Sequence, residues 1–128
     1  MENERRVRLM IRRGQDRHAC FARMREEGEA LIFTYSDRGG EGEFPVVLRL
    51  GGGRMEITRE GEMKGTLVLE PGKRHAFAYE TPYGSWPMEA RCSFLTFSRE
   101  GRRAEAAYEI FSAGERTVQQ VMELIWKD

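Results

Sequence analysis

His75, Phe77 and Tyr79 stand at alternate positions in residues 74–88, a run dense in aromatic and ionisable side chains, and Arg91 follows shortly after. If the run is extended, alternate side chains leave the same face, so the imidazole and the phenol converge. Arg91, on the next strand, would complete a trio able to hold a carboxylate or phosphate through charge-assisted hydrogen bonds. Phe77 and Trp86 would supply apolar walls. Tyr83 and Trp86 would sit at the rim as a lid, or as a plug that closes it. The competing reading is purely structural: a histidine and a tyrosine on a mixed strand pack with their polar tips satisfied locally.

Other chemistry finds little support. His18 and His75 are the only histidines, and neither has a companion at metal-ligand spacing. There is no nucleophile elbow, phosphate loop or paired-carboxylate motif. Gly51-Gly52-Gly53 joins two alternating segments and opens no helix, so it reads as a hairpin loop. Cys20 and Cys92 read as free, packed thiols of a reducing compartment. No metal and no cofactor are expected, and an enzyme built on His75, with Glu80 as a base if buried beside it, ranks third among the functional readings.

The elements that must position these residues are announced by turns. Turn signals fall at 14–16, 27–28, 37–42, 51–53, 60–61, 71–72, 82–84, 99–101 and 113–114, which leaves ten segments. Spacing of mostly about 8–12 residues is that of an all-β sandwich or barrel built from hairpins. Val7, Leu9 and Ile11 alternate with arginines, and Phe44, Val46, Leu48 and Leu50 repeat the pattern, as do Met55 and Ile57, then Met63, Leu67 and Leu69. Such alternation predicts antiparallel strands with one buried and one wet face. Pro45 suggests an edge strand or the first residues of a strand. Residues 17–27 and 118–126 also carry helical signals, and periodicity leaves the second of these open between helix and strand. The 37–42 loop is the one stretch expected to be mobile. Thr81-Pro82-Tyr83-Gly84 folds the strand 74–81 back into 86–97.

A strand ending Lys73-Arg74-His75-x-Phe77-x-Tyr79, then Glu80-Thr81-Pro82-Tyr83-Gly84, then Met88 and Arg91, resembles the YwiB-like family of bacterial domains of unknown function. The resemblance extends from about Val7 to the C-terminus and is concentrated around the turn. It implies a calycin-type, lipocalin-like antiparallel up-and-down barrel of roughly eight to ten strands, whose interior is filled or holds one small ligand. It also implies that the C-terminal segment is a strand. It transfers a fold and no activity. This chain departs from the family in a tighter first hairpin and many more arginines.

Composition sets the remaining bounds. At 128 residues, 40% hydrophobic and 33% charged, residues 1–128 read as a single globular domain. The formal net charge is zero, so attraction to nucleic acid or anionic lipid is not a property of the whole molecule. The positive charge is uneven, with eight arginines from Arg5 to Arg25 against Asp16 alone. No signal-peptide run and no span of bilayer length are present, which predicts a cytoplasmic protein, a monomer or homodimer with no membrane partner. The leading reading is a non-enzymatic barrel that binds a small molecule or serves as an accessory protein. The alternative is an RNA- or protein-interaction module using Arg6, Arg8 and Arg12, although no aromatic interleaves with those arginines in the sequence and a solvated strand face is the simpler account.

Overall fold

The computed structural model describes residues 4–39 and 42–128 and contains ten strands. They are β1 (Glu4–Arg13), β2 (Asp16–Glu27), β3 (Ala30–Gly39), β4 (Gly42–Gly51), β5 (Arg54–Arg59), β6 (Gly65–Leu69), β7 (Arg74–Thr81), β8 (Gly84–Ser98), β9 (Arg103–Ser112) and β10 (Glu115–Lys127). All belong to one antiparallel sheet in the order β6-β5-β4-β3-β2-β1-β10-β9-β8-β7. The expected up-and-down barrel, of ten strands, is therefore what the chain forms. The segments with helical signals, 17–27 and 118–126, are strands: burial against the sheet outweighs a weak helix preference.

The alternation read from the sequence is the inside-outside alternation of the barrel. Val7, Leu9, Ile11, Phe33, Leu48, Leu50, Met55, Leu69, Met122, Leu124 and Trp126 are all essentially shut off from solvent. Pro45 lies on an interior strand, and the chain tolerates it because the β4–β5 ladder begins only one residue later, at Val46↔Arg59. The expected 37–42 loop is shorter than its turn residues suggest. Asp37 and Arg38 extend β3 and pair with Phe44 and Glu43 of β4, and Gly40 and Glu41 lie outside the described residues.

The sheet closes between β6 and β7 with few bonds. Lys64 N–H donates to the Glu80 carbonyl at 3.0 Å, Glu80 N–H to the Lys64 carbonyl at 2.8 Å, and Gly72 N–H to the Cys92 carbonyl at 3.0 Å. Gly65 permits the approach, since a Cβ there would stand 2.4 Å from the Ala78 carbonyl oxygen.

The strand directions give the barrel two unlike ends. One, the tip, carries the β1–β2, β3–β4, β5–β6, β7–β8 and β9–β10 connections; the other is the base. At the base Trp126 packs edge-on against Phe33, with ring centroids 5.1 Å apart, and tilted against Phe97 at 6.4 Å. That end is dry.

Candidate functional site

The inner row of β1 ends on a charge. Val7, Leu9 and Ile11 are followed two residues on by Arg13, which the same alternation directs inward at the tip. Its Nη2 lies 3.4 Å from Oδ2 of Asp37, the last inward residue of a row formed by Leu31, Phe33 and Tyr35. Asp37 Oδ1 accepts the Arg38 N–H at 2.8 Å and stands 3.7 Å from Nε2 of His18. The carboxylate thus sits between a guanidinium and an imidazole, with only 12% of its side chain exposed. Arg59 extends the cluster across the tip, its guanidinium 3.6 Å from the centre of the Phe44 ring.

His18 of this cluster stands at a break in the barrel wall. β1 and β2 pair along ten residues, from Glu4↔Arg25 to Arg13↔Asp16. The β2–β3 ladder has only five pairs and stops at Arg23↔Thr34. Beyond that point residues 16–22 follow β1 while 35–39 follow β4, and a cleft of about 1020 Å³ lies between them. His18 reaches across it to within 3.3 Å of the Ser36 carbonyl oxygen. Cys20, Ala22 and Tyr35 line its inner wall.

The cleft is built to donate and accept hydrogen bonds. Tyr35 is 95% buried, and its hydroxyl is closed to solvent and makes no well-formed hydrogen bond. Burial raises its pKa strongly, only partly offset by the nearby Arg13 guanidinium, so the phenol stays protonated and available as a donor. Burial, reinforced by the Asp37 charge, also raises the Cys20 thiol, which leaves it a weak nucleophile. Tyr79 and Tyr108 are raised by burial as well, and Tyr108 accepts a hydrogen bond from Gln120. Positioned donors surround one carboxylate, and no activated nucleophile stands among them.

The residues singled out in the sequence are not brought together. His75, Phe77 and Tyr79 share the inner face of β7, but His75 Nε2 is 3.0 Å from Oε1 of Glu70 in the β6–β7 connection, at the base. That bond, followed by one from Lys73, holds the Glu70 carboxyl below its ordinary range. Phe77 meets Tyr79 edge-on at 5.4 Å and packs against the core. Arg91 alternates outward between the buried Ala90 and Cys92, 3.5 Å from Glu89 and with its guanidinium 4.2 Å from the Phe111 ring centre. Tyr83 is 95% exposed at the hairpin tip, where Thr81 Oγ1 accepts the Tyr83 N–H, and Trp86 is half exposed. Of the alternative set, Arg6, Arg8 and Arg12 lie on the outer face of β1, with Arg12 3.0 Å from Glu123. Among the described residues no group of acidic, histidine and cysteine side chains could hold a metal ion.

Sequence reasoning missed Arg13, His18, Tyr35 and Asp37. A signal was available: Arg13 and Asp37 continue the inward rows of β1 and β3, so each is a charge at a position whose predecessors are apolar. Nothing in the order of residues announces that β2 and β3 part.

A ten-stranded up-and-down barrel with a polar tip and a split wall is the class of protein that these features define. The family described as Domain of unknown function (DUF1934) matches residues 9–124, and the chain belongs to it. The structure is similar to the crystal structure of YwiB protein from Bacillus subtilis, with a TM-score of 0.77 over 98% of this chain and 92% of that one. At 9% identity that likeness concerns the fold. No curated protein matches the chain.

Proposed function

We propose that this barrel is a binding protein for a small polar molecule, taken up through the cleft between β2 and β3. The observation that carries the reading is the buried Tyr35 hydroxyl, which faces the Arg13 guanidinium without a well-formed hydrogen bond, on the wall of the cleft and beside the Arg13–Asp37–His18 cluster. Buried polar groups ordinarily have a partner, and a pocket with a few convergent donors and acceptors fixes a ligand's orientation. His18 and Tyr35, which line the cleft, would face the ligand's oxygens, while Asp37 and Arg13, behind them, would position the imidazole and the phenol. The raised thiol of Cys20 fits binding better than covalent catalysis.

Native mass spectrometry of the protein purified from its own host tests this. The expected result is an additional small mass that is lost in Asp37→Ala and retained in His75→Ala. A bare chain mass throughout, or a bound mass indifferent to Asp37, would end the proposal.

A further inference from the structure

The outer face of β1, β2 and β10 carries a groove that meets the cleft at Ala19, Cys20 and Phe21. Register places Arg8 directly opposite Phe21 on one side and Lys127 on the other, and Met10 opposite Ala19 and Ile125. These six residues, with Leu9 and Cys20, line a groove of about 390 Å³ in which the row Phe21–Arg8–Lys127 lies beside the apolar row Ala19–Met10–Ile125. Phe21 is 56% exposed and Met10 42%. The Arg6 guanidinium lies 3.8 Å from the centre of the Phe21 ring.

The charges around the groove are unevenly matched. Arg12 is held by Glu123 at 3.0 Å and Arg23 by Glu4 at 3.2 Å. Among the described residues Arg6, Arg8, Arg17 and Lys127 have no carboxylate at ion-pair distance. From the Arg6↔Arg23 pair to the Arg12↔Arg17 pair the strands run six residues, roughly 20 Å.

We propose that this face binds single-stranded nucleic acid. A base lies flat against the Phe21 side of the groove, above Met10 and Ala19, and the free cations meet the flanking phosphates. Three observations select that partner: cations without a carboxylate partner, an exposed aromatic among them, and a groove of apolar side chains over the paired strands β2, β1 and β10. An acidic peptide would use the cations and leave the ring unexplained; a duplex would present its bases stacked inside. Interleaving of arginine with an aromatic, which is lacking along the sequence, is supplied across the β1–β2 ladder. The groove borders the cleft at Ala19, Cys20 and Phe21 but does not include His18 or Tyr35, so the two proposals are tested by different variants.

Fluorescence anisotropy of a labelled oligouridylate with the full chain tests it. Binding is expected at low salt, with affinity falling as salt rises. Phe21→Ala should weaken it roughly 5- to 100-fold, the range for loss of one stacked base, and Phe21→Leu nearly as much although it keeps an apolar side chain. Arg8→Ala with Lys127→Ala should lower the slope of log affinity against log salt by about 1.4, about 0.7 for each contact removed. Asp37→Ala should change nothing. Equal binding of the matching DNA strand supports the same site for nucleic acid of either sugar. Failure to bind at low salt, indifference to both Phe21 variants, or equal competition by polyglutamate or duplex RNA would overturn the proposal.

Discussion

The two ends of this barrel are made from the same strands, yet one is filled by packed rings and the other holds the Arg13–Asp37–His18 cluster. β1 passes from Leu9, packed deep in the core, to Arg13 within four residues, and β3 passes from Phe33 to Asp37 in the same span. At the base, rings fill the interior: Phe33, Phe97 and Trp126. At the tip, Arg13, His18 and Asp37 form a charged cluster beside a split in the wall that His18 and Tyr35 line. The aromatic packing is concentrated at one end, and the charged cluster borders solvent at the other.

Substitutions of graded severity separate the two halves. The largest effect is expected at the base, where Trp126→Ala should cost about 3–5 kcal/mol in denaturant unfolding through the cavity it leaves. At the tip, Asp37→Ala leaves Arg13 facing a half-buried site without its carboxylate and should cost about 1–3 kcal/mol. A cost there as large as at the base would break the contrast. Tyr35→Phe sharpens it, since removing a hydroxyl that makes no well-formed hydrogen bond should leave the free protein within about 1 kcal/mol of the wild type. The same variant has a signature in alkali. The folded phenol titrates above its ordinary value of 10.0, so its contribution to stability is complete below that pH and is lost as pH rises further. Thermal melts should show a shallower decline above pH 10 for the Phe variant. The smallest effect belongs to Glu70 at the base. Its carboxyl is held below 4.5, so its contribution is present above pH 4.5 and fades in more acid solution. Glu70→Gln should flatten the melting temperature against pH below that value.

Much of this architecture is legible in the sequence because alternation is a local property. Val7-x-Leu9-x-Ile11 and Phe44-x-Val46-x-Leu48-x-Leu50 state which face is buried, and glycine-marked turns state where each strand reverses. The final segment, ambiguous between helix and strand, was settled by resemblance and then by its pairing with both β1 and β9. The site was far less legible. Residues 74–88 attract attention because their aromatics and charges are adjacent, yet alternation sends His75 inward to Glu70 and Arg91 outward to Glu89. Asp37, masked as the start of a loop, gains its role from Arg13 and His18, which are 24 and 19 positions away in the chain. Phe21 likewise meets Arg6 and Arg8 only across a ladder. Strand identity follows from neighbours in the chain, whereas a site on a barrel follows from register.

The seam between β6 and β7 bears on how the chain folds. Apart from that seam, every pair of adjacent strands is consecutive in sequence except β1 and β10, which share six register pairs from Arg8↔Lys127 to Arg13↔Met122. Those contacts join segments more than a hundred positions apart, so the loop they close is nearly the whole chain. The Asp128 carboxylate lies 3.5 Å from Arg5, close enough for a short bridge from 128 to 4. A circular permutant joined there and opened in the 70–73 connection would run β7 to β10 and then β1 to β6. Every full ladder would then be a hairpin, contact order would fall, and the barrel would assemble as one continuous meander.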